Sequence, residues 1–139
     1  MHTLKKHAVP IAIIAIIAFG AVIRLWNLTG PDIVNDEALY TTRSVGYFDY
    51  VASTNTQTTP IIWFPKHVWW QGLSFHDAPP LVFMVEWFFF KLLGVTVLAA
   101  RIPFVLAGLL AIYGTFLLGR LMGGARIGLF AAAAMAIMN

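Results

Sequence analysis

The chain has 139 residues, of which 60% are hydrophobic and 11% are charged. Soluble domains carry about 25% charged and about 45–50% apolar residues, so this composition argues against a soluble domain and favours a membrane protein. The net charge of +3 is small, and no basic stripe with interleaved aromatic residues is present, which argues against a nucleic-acid partner. Cysteine is absent, which excludes disulfides and thiolate metal sites.

The first apolar run covers residues 8–26 and predicts a transmembrane helix, because about 20 such residues span a bilayer. The run continues into Arg24-Leu25-Trp26, which favours an uncleaved anchor over a signal peptide with a shorter apolar core. Lys5 and Lys6 precede the run and place the N-terminus in the cytoplasm by the positive-inside rule.

Residues 27–79 are polar and aromatic, and they predict an extracytoplasmic loop with short helices. A loop of this length is uncommon in a compact fold and is usually functional. Within it, Asn35 is a predicted helix N-cap. Asp36 and Glu37 then fall in the first helical turn, where the helix dipole favours acidic side chains.

Apolar character returns in three further segments. Residues 102–119 predict a second transmembrane helix because they are long enough to span a bilayer. Residues 125–139 predict a third helix, which we expect to be truncated where the sequence ends. Residues 80–95 are shorter, and Glu86 and Lys91 within them are costly at the centre of a bilayer.

Two orientations are open for the segment 80–95. If it crossed the membrane, the following helix would run outward and Arg120 and Arg126 would emerge outside. If it lies along the interface, both arginines are cytoplasmic, as the positive-inside rule prefers. We therefore favour an interfacial helix at residues 80–95.

Acidic residues cluster at two places outside the predicted spans: Asp36 with Glu37, and Asp77 just before a pair of prolines. Two carboxylates from separate parts of one loop can converge on a pocket, where they bind a divalent cation or supply a general base. His76 adds a candidate ligand or proton relay. The alternatives are Asp36 as a helix-dipole partner, Asp77 as a helix cap and His76 as a hydrogen-bonded interfacial residue.

Five motifs occur in an order that resembles a known family. They are Arg24-Leu25, Asp36-Glu37-Ala38-Leu39-Tyr40, His76-Asp77-Ala78-Pro79-Pro80-Leu81, Phe90-Lys91-Leu92-Leu93-Gly94-Val95 and Ala100-Arg101-Ile102-Pro103. As a set they resemble the N-terminal part of the GT-C membrane glycosyltransferases, in the dolichyl-phosphate-mannose-protein mannosyltransferase-like group that includes protein O-mannosyltransferases and aminoarabinose transferases. The resemblance implies an all-α polytopic helical bundle with interfacial helices in the first extracytoplasmic loop.

The resemblance also implies a function. A hexose or pentose would move with inversion from a polyprenyl-phosphate donor to a glycan, lipid or protein acceptor outside the cytoplasm. Asp36 would be the catalytic base or a metal-proximal carboxylate, with Asp77 as its partner and Glu37 beside it. The two aspartates would hold any divalent metal ion, such as Mg, Mn or Zn. The candidate substrate-binding residues are Tyr40, Arg43, His76 and Arg101.

One position departs from the family pattern. Several relatives carry Lys or His directly before the proline pair, where that side chain meets the donor phosphate, whereas this chain has Ala78. His76, Arg43, Arg101 or a cation from a further part of the protein would then take that role. We expect the 139 residues to be an inactive fragment of a multi-pass protein of a prokaryotic inner membrane.

A transporter subunit or a non-catalytic membrane scaffold is the alternative function. Transporters usually place ionisable residues in broken transmembrane helices near the middle of the membrane. In this chain most acidic residues fall in the predicted loop, which favours the enzyme.

Overall fold

The computed structural model describes residues 2–45 and 80–138, which form five α-helices and, within these ranges, no β-strand. The helices are α1 (His2–Leu25), α2 (Asn35–Val45), α3 (Pro80–Leu93), α4 (Val97–Gly123) and α5 (Ala125–Ile137). The predicted all-α class is therefore confirmed. Most of the predicted loop, with His76 and Asp77, lies outside the described residues.

Two helices are long and apolar enough to cross a membrane, the stretch Ala8–Leu25 of α1 and the whole of α4. Only 11% of the first stretch and 28% of α4 are buried inside the protein, which suits helices that face lipid. Helix α4 extends beyond the predicted span 102–119 at both ends. These two helices and the composition identify a membrane protein.

Capping residues set the turn between α3 and α4. Gly94 follows the last residue of α3 with a φ of 79°, and its N–H donates to Phe90 O at 2.9 Å. Glycine is the usual residue for this left-handed position at a helix C-terminus. Thr96 Oγ1 then accepts a hydrogen bond from Ala99 N at 3.2 Å and caps the start of α4.

The chain divides into two compact units. The bundle unit comprises residues 1–28 and 104–139, and the loop unit comprises residues 29–103. The bundle unit thus holds α1, α5 and most of α4, whereas the loop unit holds α2, α3 and the first turns of α4.

In the bundle unit, α1 and α5 run in one direction and α4 runs opposite to both. Along α1, Gly20 packs against Ile112 of α4 and Arg24 packs against Gly108, so residue numbers rise in α1 as they fall in α4. Helix α5 turns back from α4 at Gly124, as a short connection between helices requires. Their shared core consists of Ile13, Ile112, Phe116, Ala132 and Ala136.

Two glycines bring the backbones of α4 and α5 together. A Cβ on Gly128 would lie 2.6 Å from Phe116 O and 2.9 Å from Arg120 N, and a Cβ on Gly119 would lie 2.9 Å from Gly128 Cα. The atoms in the way are backbone atoms, which cannot rotate aside. The helices therefore approach this closely only because both residues lack a side chain, as in membrane helix pairs generally.

Arg24 of α1 caps the C-terminal end of α5. Its guanidinium donates to Ala136 O at 3.0 Å, to Met135 O at 3.2 Å and to Met138 O at 2.6 Å. The last carbonyls of a helix have no partner within the helix, and the dipole makes this end attractive to a cation. Arg24 thus ties together two helices that are distant in the sequence.

Candidate functional site

The candidate residues that the structure describes lie in the loop unit, on α2 and at the start of α4. Helix α2 begins at Asn35, whose φ of 53° lies in the left-handed region that Asn tolerates better than most residues. Asp36 and Glu37 occupy the first turn of α2. Tyr40 and Arg43 follow Asp36 at spacings of four and seven residues, which places the three on one face of the helix.

Asp36 is exposed at the start of α2. Its carboxylate makes no hydrogen bond or ion pair with any residue in the described ranges. An exposed carboxylate without a protein partner can accept a proton or bind a cation from outside. Its expected partner Asp77 lies outside the described residues, so the convergence of the two aspartates stays a prediction.

Glu37, the next residue, forms an ion pair with Arg101. Arg101 Nε lies 2.5 Å from Glu37 Oε1, and Arg101 Nη2 lies 2.9 Å from Glu37 Oε2. This two-point contact is the strong geometry for an arginine and a carboxylate. Hydrogen bonding to Arg101 holds the pKa of Glu37 below its ordinary value of 4.5, with partial burial acting in the opposite direction. Glu37 is therefore ionised and a weaker base than an ordinary glutamate.

Arg101 also binds the segment that precedes α2. Its Nη1 donates to Pro31 O at 3.0 Å and its Nη2 donates to Asp32 O at 3.3 Å. The side chain is 13% exposed. Arg101 therefore fixes the entrance of α2 against the first turns of α4, and its expected role in substrate binding stays a prediction.

Tyr40 and Arg43 are packed on the inner side of the loop unit. The ring of Tyr40 meets the fully buried ring of Phe83 in α3 edge-on, with centroids 5.7 Å apart. Such aromatic pairs add to the stabilisation that burial already gives. Arg43 is 3% exposed. Both therefore help α2 to pack, and their predicted contacts with substrate stay predictions.

Glu86 is a buried acid within an apolar helix. It lies in α3, is 1% exposed, and its Oε2 forms a hydrogen bond with Ser44 Oγ of α2. Burial raises the pKa of Glu86, the negative charge of Glu37 raises it further, and the contact with Ser44 offsets part of this rise. Its spacing of three residues from Phe83 was the signal that both face the same neighbour.

No cluster of three or more His, Cys, Asp or Glu residues that could hold a metal ion exists in the part of the chain that the structure describes. Asp36 is the one member of the predicted metal-binding pair with a described position. The metal site therefore stays a prediction that involves Asp77.

Comparison with known protein families found a match over the C-terminal part of the sequence. Residues 77–139 match the model of the dolichyl-phosphate-mannose-protein mannosyltransferase family. The matched part is a little under half of the chain and includes Asp77 and Arg101, but not α1 or α2. It confirms the predicted resemblance to this family, and it supports a membrane glycosyltransferase with a lipid-linked sugar donor and an acceptor. A search of curated proteins and a search of solved structures each found no match.

Proposed function

We propose that this mannosyltransferase-like GT-C chain supplies the base for transfer of a sugar from a polyprenyl-phosphate donor to an acceptor hydroxyl. The base is Asp36. The match over residues 77–139 supports the reaction class, and the geometry of α2 supports the choice of residue.

One observation carries the choice between the two adjacent acids. Glu37 is bound at both carboxylate oxygens by Arg101, whereas Asp36 is exposed and has no partner among the described residues. A general base needs a free lone pair within reach of the proton that it accepts. Toward the described residues both oxygens of Asp36 are open, whereas each oxygen of Glu37 already accepts from Arg101 and the lowered pKa makes Glu37 a weaker base. Glu37 instead anchors the turn that presents Asp36.

The proposed reaction is a single displacement. The oxygen of the acceptor hydroxyl forms a bond to the anomeric carbon of the sugar while the bond from that carbon to the phosphate oxygen breaks. The electron pair of the broken bond leaves with polyprenyl phosphate, and the proton of the hydroxyl passes to Asp36. Attack opposite to the leaving group inverts the configuration at the anomeric carbon.

Charge placement supports an extracytoplasmic position for Asp36. Helix α1 begins at the end of the bundle unit where α4 ends and α5 begins, because α4 runs opposite to the other two. Lys5, Lys6, Arg120 and Arg126 therefore belong to one end of this unit, and the positive-inside rule puts that end in the cytoplasm. The chain leaves α1 at the opposite end and continues into α2, outside the cytoplasm.

A divalent metal ion is the alternative to the role of Asp36 as a base, because a carboxylate bound to a metal at the leaving phosphate would not also face the hydroxyl that attacks from the opposite side. Asp36 and Asp77 would hold it, and when bound it would stabilise negative charge on the leaving phosphate. Removal of metal with a chelator, followed by separate addition of Mg²⁺, Mn²⁺ and Zn²⁺, tests this alternative. Full transfer activity after chelation would show that the reaction needs no metal.

The direct test is transfer of a labelled sugar from polyprenyl phosphate by the full-length membrane protein. Asp36→Asn should lower the rate by about 100-fold or more, because removal of a general base has effects of this order. Asp32→Asn is the matched control, since Asp32 is an exposed aspartate on the segment before α2 and lies outside the proposed chemistry. Normal turnover by Asp36→Asn would contradict the proposal.

A further inference from the structure

The contact between Ser44 and Glu86 lies in the interface between α2 and α3. Ser44 is 0% exposed and Glu86 is 1% exposed, and Phe83 lies in the same interface. A buried ionised carboxylate is strongly destabilising unless it is paired with a cation. The protonation state of Glu86 therefore decides how firmly α2 is attached to α3.

A count of hydrogens at Ser44 indicates that state. Ser44 Oγ lies 2.8 Å from Tyr40 O and also forms a hydrogen bond with Glu86 Oε2. A hydroxyl has one hydrogen to donate, and both a carbonyl oxygen and an ionised carboxylate can only accept. Both contacts are satisfied together when Glu86 is protonated, so that its O–H donates to Ser44 Oγ while Ser44 donates to Tyr40 O.

The negative charge of Glu37 favours the same state. Burial is the main cause that raises the pKa of Glu86, and Glu37 on α2 raises it further as a like charge. The cation nearest to Glu37 is Arg101 of α4, which Glu37 itself occupies with both oxygens. Two further cations belong to the packed helices, the buried Arg43 on α2 and Lys91 on α3, which lies over the ring of Trp87. Neither forms an ion pair with Glu86.

We propose that Glu86 is a positioning residue that holds α2 on α3 as a neutral carboxylic acid, so that ionisation of Glu86 releases α2. The consequence for catalysis rests on the proposed function of Asp36, which lies two turns before Ser44 on the same helix. A raised pKa in the folded protein means that this stabilisation is complete below the ordinary value of 4.5. It is lost as the pH rises toward and through the raised pKa.

The first test measures the proton itself and is independent of activity. Infrared difference spectra between the wild-type full-length protein and Glu86→Gln should contain the carbonyl stretch of a protonated carboxyl group at neutral pH. The band should disappear as the pH is raised, and Ser44→Ala should shift its frequency because the hydroxyl partner is lost. Absence of the band at neutral pH would overturn the proposal, whatever the outcome for Asp36.

The second test separates a positioning role from a catalytic one. Glu86→Gln keeps the shape and the neutral charge, so its transfer rate at neutral pH should stay within about threefold of wild type, as expected for exchange of one neutral hydrogen bond. Its melting temperature should also depend less on pH than that of wild type, on the alkaline side. Identical pH profiles of the two proteins, or loss of activity in folded Glu86→Gln, would refute the positioning role.

If Glu86→Gln does not fold, wild-type protein labelled with ¹³C-carboxyl glutamate decides the question. Residues 1–139 contain two glutamates, Glu37 and Glu86, and Glu37 is ionised by Arg101. A carboxyl band from protonated glutamate that responds to Ser44→Ala supports the proposal. The proposal would be contradicted if the labelled protein had no protonated carboxyl band that shifts in Ser44→Ala.

Discussion

Arg101 donates hydrogen bonds to both carboxylate oxygens of Glu37, with Nε 2.5 Å from Oε1 and Nη2 2.9 Å from Oε2. The two residues are 64 positions apart, and their contact joins the start of α2 to the start of α4. Because the same guanidinium binds the carbonyls of Pro31 and Asp32, one side chain fixes both the helix and the segment before it. The position of Asp36 therefore depends on Arg101.

We predict that Arg101→Lys weakens the loop unit although it keeps the charge. A lysine is a point charge that cannot reproduce the two parallel hydrogen bonds of a guanidinium. We expect destabilisation of roughly 1.5–3 kcal/mol, as for loss of hydrogen bonds to a charged group, together with a reduced transfer rate. Thermal unfolding in detergent and the transfer assay measure the two effects.

Arg126→Lys is the control for this prediction. Arg126 is an exposed arginine of the bundle unit, so the same substitution should change neither the melting temperature nor the transfer rate. If the two variants had the same melting temperature and the same transfer rate, the contact between Arg101 and Glu37 would not stabilise the loop unit.

We predict that the contact between Arg101 and Glu37 weakens in acid. The pKa of Glu37 is held below 4.5 in the folded protein, chiefly by hydrogen bonding to Arg101. The stabilisation is therefore present above 4.5 and is lost as the pH falls through the lowered value. Melting temperatures between neutral pH and pH 3 should fall more in wild type than in Glu37→Gln, which has no carboxylate to protonate. Parallel curves would contradict this assignment.

A third prediction concerns the approach of α4 to α5. Gly128→Ala places a methyl group 2.6 Å from Phe116 O, so the helices must separate, and we expect destabilisation of about 1–3 kcal/mol, as for overpacking elsewhere. Gly114→Ala is the matched control, because a Cβ at this position of α4 meets no atom within 4 Å. It should be neutral or slightly stabilising, since alanine is the better helix former. Thermal unfolding of both variants measures the difference, and equal losses would argue against close packing at Gly128.

The sequence predicted the features that depend on local chemistry. Long apolar runs indicated the membrane helices, and Asn35 followed by two acids indicated a helix start, because these signals lie within one segment of chain. The order of short motifs indicated a resemblance to the family, and the match over residues 77–139 confirmed that resemblance.

Other features depend on which segments meet, and local patterns do not report that. From the sequence, Glu37 was a second candidate acid beside Asp36. Its ion pair with Arg101 depends on the packing of α2 against α4, which local sequence does not reveal. Glu86 likewise looked like an isolated charge on an apolar helix. Its contact with Ser44 joins two residues that are 42 positions apart in the sequence and arises from the packing of α2 on α3.

The cap that Arg24 provides for α5 has a consequence for how the protein is made. Arg24 leaves the ribosome with α1, whereas its acceptor Ala136 O is synthesised 112 positions later. Near the end of a membrane helix an arginine reaches the polar interface, and Arg24 also donates to Gly20 O of its own helix, so α1 can enter the bilayer before the other acceptors of Arg24 exist. Arrival of α5 then satisfies the arginine and the open helix end in one step, which makes the last described helix the closing element of membrane assembly in this part of the protein.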